Sequence, residues 1–235
     1  MRIFFRILAA FAILMAAVTA QASTTAPQNG IDYKTLETPQ NTESGKKVEV
    51  TEFFWYSCPH CAAFDPQLSE WVKKQGDNIV FKRVHVSFRD SFVPQQKLYY
   101  ALESMGRADD MNKKIFHAIH VEHNQLDTDA TILAFIVKNG IDRQKFLDVY
   151  NSFSVLAKVK RADQQQQAYK IDGVPVIAIN GKYMTSPSIA AAGMNQAQAM
   201  TEVAMQQAAL QVMDVLVAKE LKDKAPAKAV KKVKK

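Results

Sequence analysis

Cysteine is nearly absent from this chain of 235 residues: it has two, Cys58 and Cys61, separated by two residues. That excludes the scattered disulfide framework by which many secreted proteins are held. It also leaves no second cysteine pair for a structural zinc site. Such a site would have to draw on His85, His117, His120 and His123, and no metal is expected. Long apolar runs are missing as well. The one clear run, residues 7–18, is 12 residues long, too short for a bilayer that needs ~20. Acids are missing from both ends. Residues 1–22 hold Arg2 and Arg6, residues 225–235 hold five lysines, and neither stretch contains Asp or Glu. The formal net charge of +7 is therefore a property of the ends, and the body between them balances 23 bases against 23 acids. Despite the high pI, a nucleic-acid surface is not indicated. No internal repeat is visible.

What is present begins with a basic start, the short apolar run and the small-x-small triplet Ala20-Gln21-Ala22. That is the layout of a cleaved secretory signal peptide, 1–22, and it directs the mature protein out of the cytoplasm. The remaining residues, about 210, suffice for a core that needs no disulfide staples. Residues 23–29 are polar and read as mobile. Val48–Phe54 is rich in β-branched and aromatic residues and reads as a strand. Pro59 suits the first turn of a helix running to Gln75; Pro66, inside it, should kink it. Residues 79–88 read as a second strand. Five helical patterns follow, 95–105, 109–122, 128–138, 143–153 and 155–169, with Gly106, Asp127 and Gly140 at their boundaries. Strand signals return at 176–179 and 182–185 around Asn180-Gly181, a dipeptide suited to a type I′ turn. A last amphipathic helix spans 195–222, and the Ala/Pro/Lys tail 225–235 cannot pack on a core. A βαβ start and a ββα end thus bracket an all-helical middle. This order predicts an α/β thioredoxin fold formed by 23–92 and 171–224, with a helical domain, 93–170, inserted between its halves.

The chemistry is concentrated in Cys58-Pro59-His60-Cys61. Pro59 at the first helical position makes Cys58 the N-cap, facing unpaired amides and the positive end of the helix dipole. His60 adds a donor or a positive charge beside it. Both favour the Cys58 thiolate, the reactive form of a thiol. Cys61, one turn on, is turned inward and close enough to close a disulfide. Stabilising a thiolate that exists only in the reduced state makes the disulfide a stronger oxidant. Cys58 is therefore the attacked and attacking sulfur, and Cys61 resolves. A purely structural disulfide is the plainer alternative.

The segments EFFWYSCPHC (52–61), HVSF (85–88), NSF (151–153) and GVPVIAINGKY (173–183) together resemble the DsbA family of periplasmic disulfide oxidoreductases. The resemblance covers nearly the whole mature chain, and the family is itself a standard example of an acidic thiol and an oxidising disulfide. It implies a cis Val174–Pro175 bond packed against the disulfide, with the Val174 backbone free to pair with an extended substrate. Taken without the dithiol motif, Pro175 reads as the start of an edge strand. The resemblance places Glu52 beneath the dithiol, where it could relay the Cys61 proton. A salt-bridged structural acid is the other reading, with Arg83 as the partner that fixes its charge; relay through Arg83 itself is disfavoured, since an arginine does not shed a proton in water. His85 reads as a satisfied core histidine, and His117, His120 and His123 as solvated side chains. Trp55, Tyr56 and Phe64 fit either the core or an apolar substrate surface.

The function implied is donation of the Cys58–Cys61 disulfide to reduced, newly secreted polypeptides through a mixed disulfide. A membrane-bound, quinone-linked protein of the DsbB type would then reoxidise the dithiol. The expected setting is the periplasm and the expected state a monomer, with no cofactor beyond the redox-active disulfide. An isomerase would need a dimerisation domain for which the chain has no room. A chaperone-like binding module would survive loss of both thiols.

Overall fold

The computed structural model describes residues 26–194 and 201–224. The signal peptide, residues 195–200 of the expected last helix and the basic tail lie outside the described residues. The sheet has five strands: β1 Lys34–Thr35, β2 Val48–Phe54, β3 Ile79–His85, β4 Val176–Ile179 and β5 Tyr183–Thr185, in the spatial order β1-β5-β4-β2-β3. β2 and β3 run parallel, and the other neighbours are antiparallel. The crossover between β2 and β3 is helix α1, Pro59–Gln75. Between β3 and β4 come α2 Val93–Ser104, α3 Ala108–His120, α4 Asp129–Lys138, α5 Arg143–Tyr150 and α6 Phe153–Ala168. A short α7, Pro187–Ala191, and a long α8, Glu202–Lys224, follow β5. This is the thioredoxin fold with a helical insertion.

The period-2 alternation of the strands divides the core in two. Val48, Val50, Ile177 and Ile179 cluster with Phe64 and Leu68 of α1 and with Val212 and Leu216 of α8. Phe53, Val84 and Ala178 cluster instead with residues of the helical insertion, among them Leu98, Ile115 and Tyr150. Both faces of the sheet are thus covered, which is why all seven residues of β2 are buried.

Several boundaries differ from the sequence reading. The second strand stops at His85, short of 88. β2 ends at Phe54, so after the bond from the Val86 amide to the Phe54 carbonyl no ladder partner remains, and the Ser87 amide turns to Gln166 on α6. Phe153 belongs to the fifth inserted helix rather than the fourth, because the Ser152 hydroxyl caps the Val155 amide. Thr128, not Asp127, caps α4, in a reciprocal box with Thr131. Pro66 lies within α1 without ending it. Gln28 and Asn29 are held where mobility was expected: the Gln28 amide donates to Asp32, and the Asn29 side chain accepts from Thr35. β1 and α7 carry too short a pattern to be read in advance. Asn180 and Gly181 both have positive φ, 50° and 65°, as the I′ turn requires.

Candidate active site

β2 ends at Phe54, and the turn Trp55-Tyr56-Ser57 carries the chain to Cys58. The Cys58 amide closes the turn on the Trp55 carbonyl at 3.0 Å. Cys58 is the N-cap of α1, in extended conformation, with Pro59 in the first turn. Both cysteines are free. Cys61 is fully buried, and Cys58 keeps 6% of its surface exposed. Across from them the Val174–Pro175 peptide is cis, and the Cys58 thiol donates to the Val174 carbonyl at 3.4 Å. Pro175 leads into β4, which lies between β5 and β2, so an edge-strand start does not account for it.

The two thiols are driven apart. Cys58 is lowered from 9.0 to about 6, first by the Cys61 thiol as a donor, against a burial cost, then by the amides of Cys61 and His60 and the charge of His60. As a thiol Cys58 caps no amide of α1; on ionisation these groups become donors to its sulfur. The sequence reading credited the helix terminus and His60, whereas Cys61 itself contributes most. Cys61 is pushed well up by burial, by its place beside Cys58 and by the Glu52 charge. One sulfur is thus a thiolate near neutral pH, and the other stays protonated.

Beneath Cys61, Glu52 is buried and accepts from Arg83 Nε at 2.7 Å. The Arg83 Nη2 group donates to Asp65 at 2.8 Å, and Asn112 donates to the same Asp65 oxygen at 2.7 Å. Burial raises both Glu52 and Asp65, against the pull of the guanidinium. Arg83, which burial alone would lower, is held up by its two carboxylates. Asp65 was missed, although its spacing four residues after Cys61 on the buried face of α1 was a legible sign.

His60 is exposed, and its Nδ1 meets Glu202 Oε1 at 2.8 Å. This hydrogen bond raises the His60 pKa, keeping positive charge next to Cys58. Glu202 opens α8, 142 residues away in sequence, and nothing local announced it. Glu202→Gln should return the His60 titration, read from its ring protons by NMR, toward the ordinary histidine value. The change in overall stability should stay within ~1 kcal/mol, since the pair is largely exposed. An unmoved His60 titration would show that the pair does not form in solution.

His85 is buried with both ring nitrogens engaged: Nδ1 donates to the Val86 carbonyl and Nε2 accepts the Tyr56 amide. Burial lowers it to about 3, so it is neutral. His120, expected to be solvated, instead donates from Nε2 to the Tyr56 carbonyl at 2.8 Å. Tyr56 and Phe64 are core residues, and Trp55 stacks on Phe92. Among the described residues, no group of three His, Cys, Asp or Glu side chains is placed to hold a metal ion, and no helix is long and apolar enough to cross a membrane.

A CxxC pair at a helix N-terminus, on a thioredoxin fold and facing a cis-proline loop, defines a thiol–disulfide redox centre. Comparison with known proteins narrows the class. Residues 90–202 match the model of the DSBA-like thioredoxin domain family. The thiol:disulfide interchange protein DsbA of Burkholderia cepacia is 47% identical over 175 residues, 74% of this chain and 82% of that one. The DsbA of Bordetella pertussis is 40% identical over 187 residues, 80% and 88% of the two chains. Among solved structures, Pseudomonas aeruginosa DsbA superposes with a TM-score of 0.72 at 34% identity, covering 81% of this chain and 93% of that one. The chain belongs to the DsbA family and is a protein disulfide oxidoreductase.

Proposed function

We propose that the protein oxidises newly secreted polypeptides in the periplasm by donating the Cys58–Cys61 disulfide. The observation that carries this reading is the division of the two thiols: an acidic Cys58 at the rim and a buried, high-pKa Cys61 behind it. A substrate thiolate attacks the Cys58 sulfur, a substrate–Cys58 bond forms, and Cys61 leaves and takes up a proton. A second substrate thiolate then attacks the substrate sulfur and expels Cys58. A low-pKa thiolate is the better leaving group, so release is fast in the oxidising direction. Two electrons pass to the enzyme, which ends as the dithiol. The disulfide serves as the redox group, and no further cofactor takes part.

Val174 and Pro175 line the approach to Cys58. The Val174 backbone, already a partner of the Cys58 thiol, would pair with an extended substrate strand. Pro59 and His60 tune the thiolate. Glu52, fixed by Arg83, is the buried acid whose charge Cys61 feels; it acts as a charged neighbour rather than through a relay in Arg83. The chain works as a monomer of a thioredoxin-like body, 23–92 with 171–224, and a helical domain, 93–170. Its signal peptide, 1–22, is removed, and a quinone-linked membrane protein of the DsbB type restores the disulfide.

The equilibrium between this dithiol and glutathione tests the reading. Fluorescence can follow it, because Trp55 and Trp71 flank the motif. An oxidising equilibrium supports donation; a strongly reducing one would make the protein a reductase. Linkage supplies a second check. A folded pKa depressed from 9.0 to about 6 contributes stability that is complete above the unfolded value and lost as pH falls through the folded one. The oxidised form has no such thiolate, so the reduced form should gain roughly 2.5 kcal/mol over it between pH 5 and pH 8. Against this, closing so short a loop restrains the unfolded chain by only ~2 kcal/mol. The reduced form should therefore melt above the oxidised one by pH 8, with the order reversed at pH 5. An oxidised form that melts higher throughout would mark the bond as structural.

A further inference from the structure

The turn that delivers Cys58 to the end of α1 is gripped from outside the sheet. Phe92, immediately before α2, stacks on Trp55 with ring centroids 3.8 Å apart and planes 16° from parallel. Gln95, in the first turn of α2 and buried, donates from Nε2 to the Ser57 hydroxyl at 2.6 Å and also to the Gln125 carbonyl at 2.7 Å. His120, the last residue of α3, donates to the Tyr56 carbonyl at 2.8 Å. Each of the three residues before Cys58 thus has its own partner in the stretch between β3 and β4. From β3, His85 also accepts the Tyr56 amide, at 3.3 Å.

We propose that Phe92, Gln95 and His120 are positioning residues for the redox centre: the helical insertion, with the residue that leads into it, sets the geometry of the Trp55-Tyr56-Ser57 turn and through it the oxidising strength of the Cys58–Cys61 pair. The inference rests on the reading of that pair as a disulfide donor. The physical step is short. What stabilises the Cys58 thiolate is the aim of its sulfur at the Cys61 thiol and at the amides of His60 and Cys61. Those donors are fixed by α1, whereas the sulfur is fixed by the turn that precedes it. Removing the His120 donor strands a carbonyl two residues from the nucleophile, and removing Gln95 frees Ser57, its immediate neighbour. A backbone group left without its partner turns toward another, and the turn moves with it. The insertion then has a role in the chemistry itself, in addition to any surface it offers a substrate.

The test uses the whole mature protein with His120→Ala, Gln95→Ala, the donor-preserving His120→Gln, and His117→Ala as a control on an exposed residue of the same helix. Three quantities are read: the thiolate absorbance at 240 nm against pH, the equilibrium constant with glutathione, and the melting temperature of the reduced form. His120→Ala and Gln95→Ala should each move the Cys58 titration upward and make the protein a weaker oxidant by about three- to tenfold, the change that goes with half a unit to one unit of pKa. His120→Gln should restore most of the loss, and His117→Ala should change neither redox quantity. Lower melting temperatures with an unaltered titration and glutathione constant would overturn the proposal, since these residues would then be structural only. Should either alanine variant fail to fold, Ser57→Ala removes the Gln95 grip from the turn's side and decides by the same readouts. An unmodified protein that does not exchange with glutathione would overturn both this proposal and the disulfide-donor reading; normal exchange with unmoved variants would overturn this one alone.

Discussion

Replacing Cys58 with serine is expected to abolish oxidation of a reduced peptide, and replacing Cys61 with serine to leave a protein that becomes trapped on its partners. The asymmetry follows from burial and from the two pKa values. Cys58 is the cysteine that keeps exposed surface and the one ionised near neutral pH, so it is the one that meets a partner's sulfur, while Cys61 can attack only the bond that Cys58 has formed. Cys61 is fully buried and stays protonated until Cys58 is engaged. With Cys61 gone, the Cys58 thiolate can still attack a partner's disulfide, joining one of its sulfurs and releasing the other as a thiolate, and no second thiol remains within the protein to resolve the new bond. Non-reducing gels should show stable mixed disulfides for Cys61→Ser and none for Cys58→Ser, with oxidase activity lost in both. A mixed disulfide that accumulates through Cys61 would invert the assignment. Removing the Cys61 thiol also removes the largest stabiliser of the Cys58 thiolate, so the Cys58 titration in Cys61→Ser should lie above about 6.

Arg83→Met should cost the fold roughly 3–5 kcal/mol, the range expected when one member of a buried ion pair is removed. Arg83 is the shared cation of two carboxylates, Glu52 at 2.7 Å and Asp65 at 2.8 Å, and all three side chains are nearly out of solvent. Methionine matches the aliphatic stem and leaves both charges without a counter-ion. The loss should be strongly pH-dependent. A carboxyl group whose folded pKa is raised favours the folded state while protonated, and its cost appears as pH rises through the folded value. Glu52 and Asp65 are both raised already with Arg83 in place. Denaturant titrations should thus find the variant weakest at neutral pH and recovering toward pH 4. A loss below ~1 kcal/mol, or one insensitive to pH, would mean that water reaches the carboxylates and that the array is not the buried triad described.

The part of this protein written in local sequence is extensive. Val48–Phe54, Pro59–Gln75 and Val176–Ile179 have the limits that their patterns indicate, because β-branched alternation, a proline at a helix start and an Asn-Gly turn act within a few residues of themselves. The dithiol was legible for the same reason. Two cysteines three positions apart, with proline after the first, place themselves at a helix N-terminus wherever that helix goes.

Contacts made between distant segments left no such trace. Glu202 reaches His60 across 142 residues, Asn112 reaches Asp65 across 47 and His120 reaches Tyr56 across 64. A histidine at the end of a helix, or a glutamate at the start of one, is an ordinary surface residue until another element is brought against it. Whether Arg83 fixes one acid or two depended on α1 and β3 presenting Asp65 and Arg83 to each other, a matter of how helix lies on sheet and not of spacing within either. Sequence determined where the sulfurs sit and which one caps the helix. Tertiary structure decided what holds them there, because desolvation and the aim of a hydrogen bond arise only once separate elements close around the same atoms.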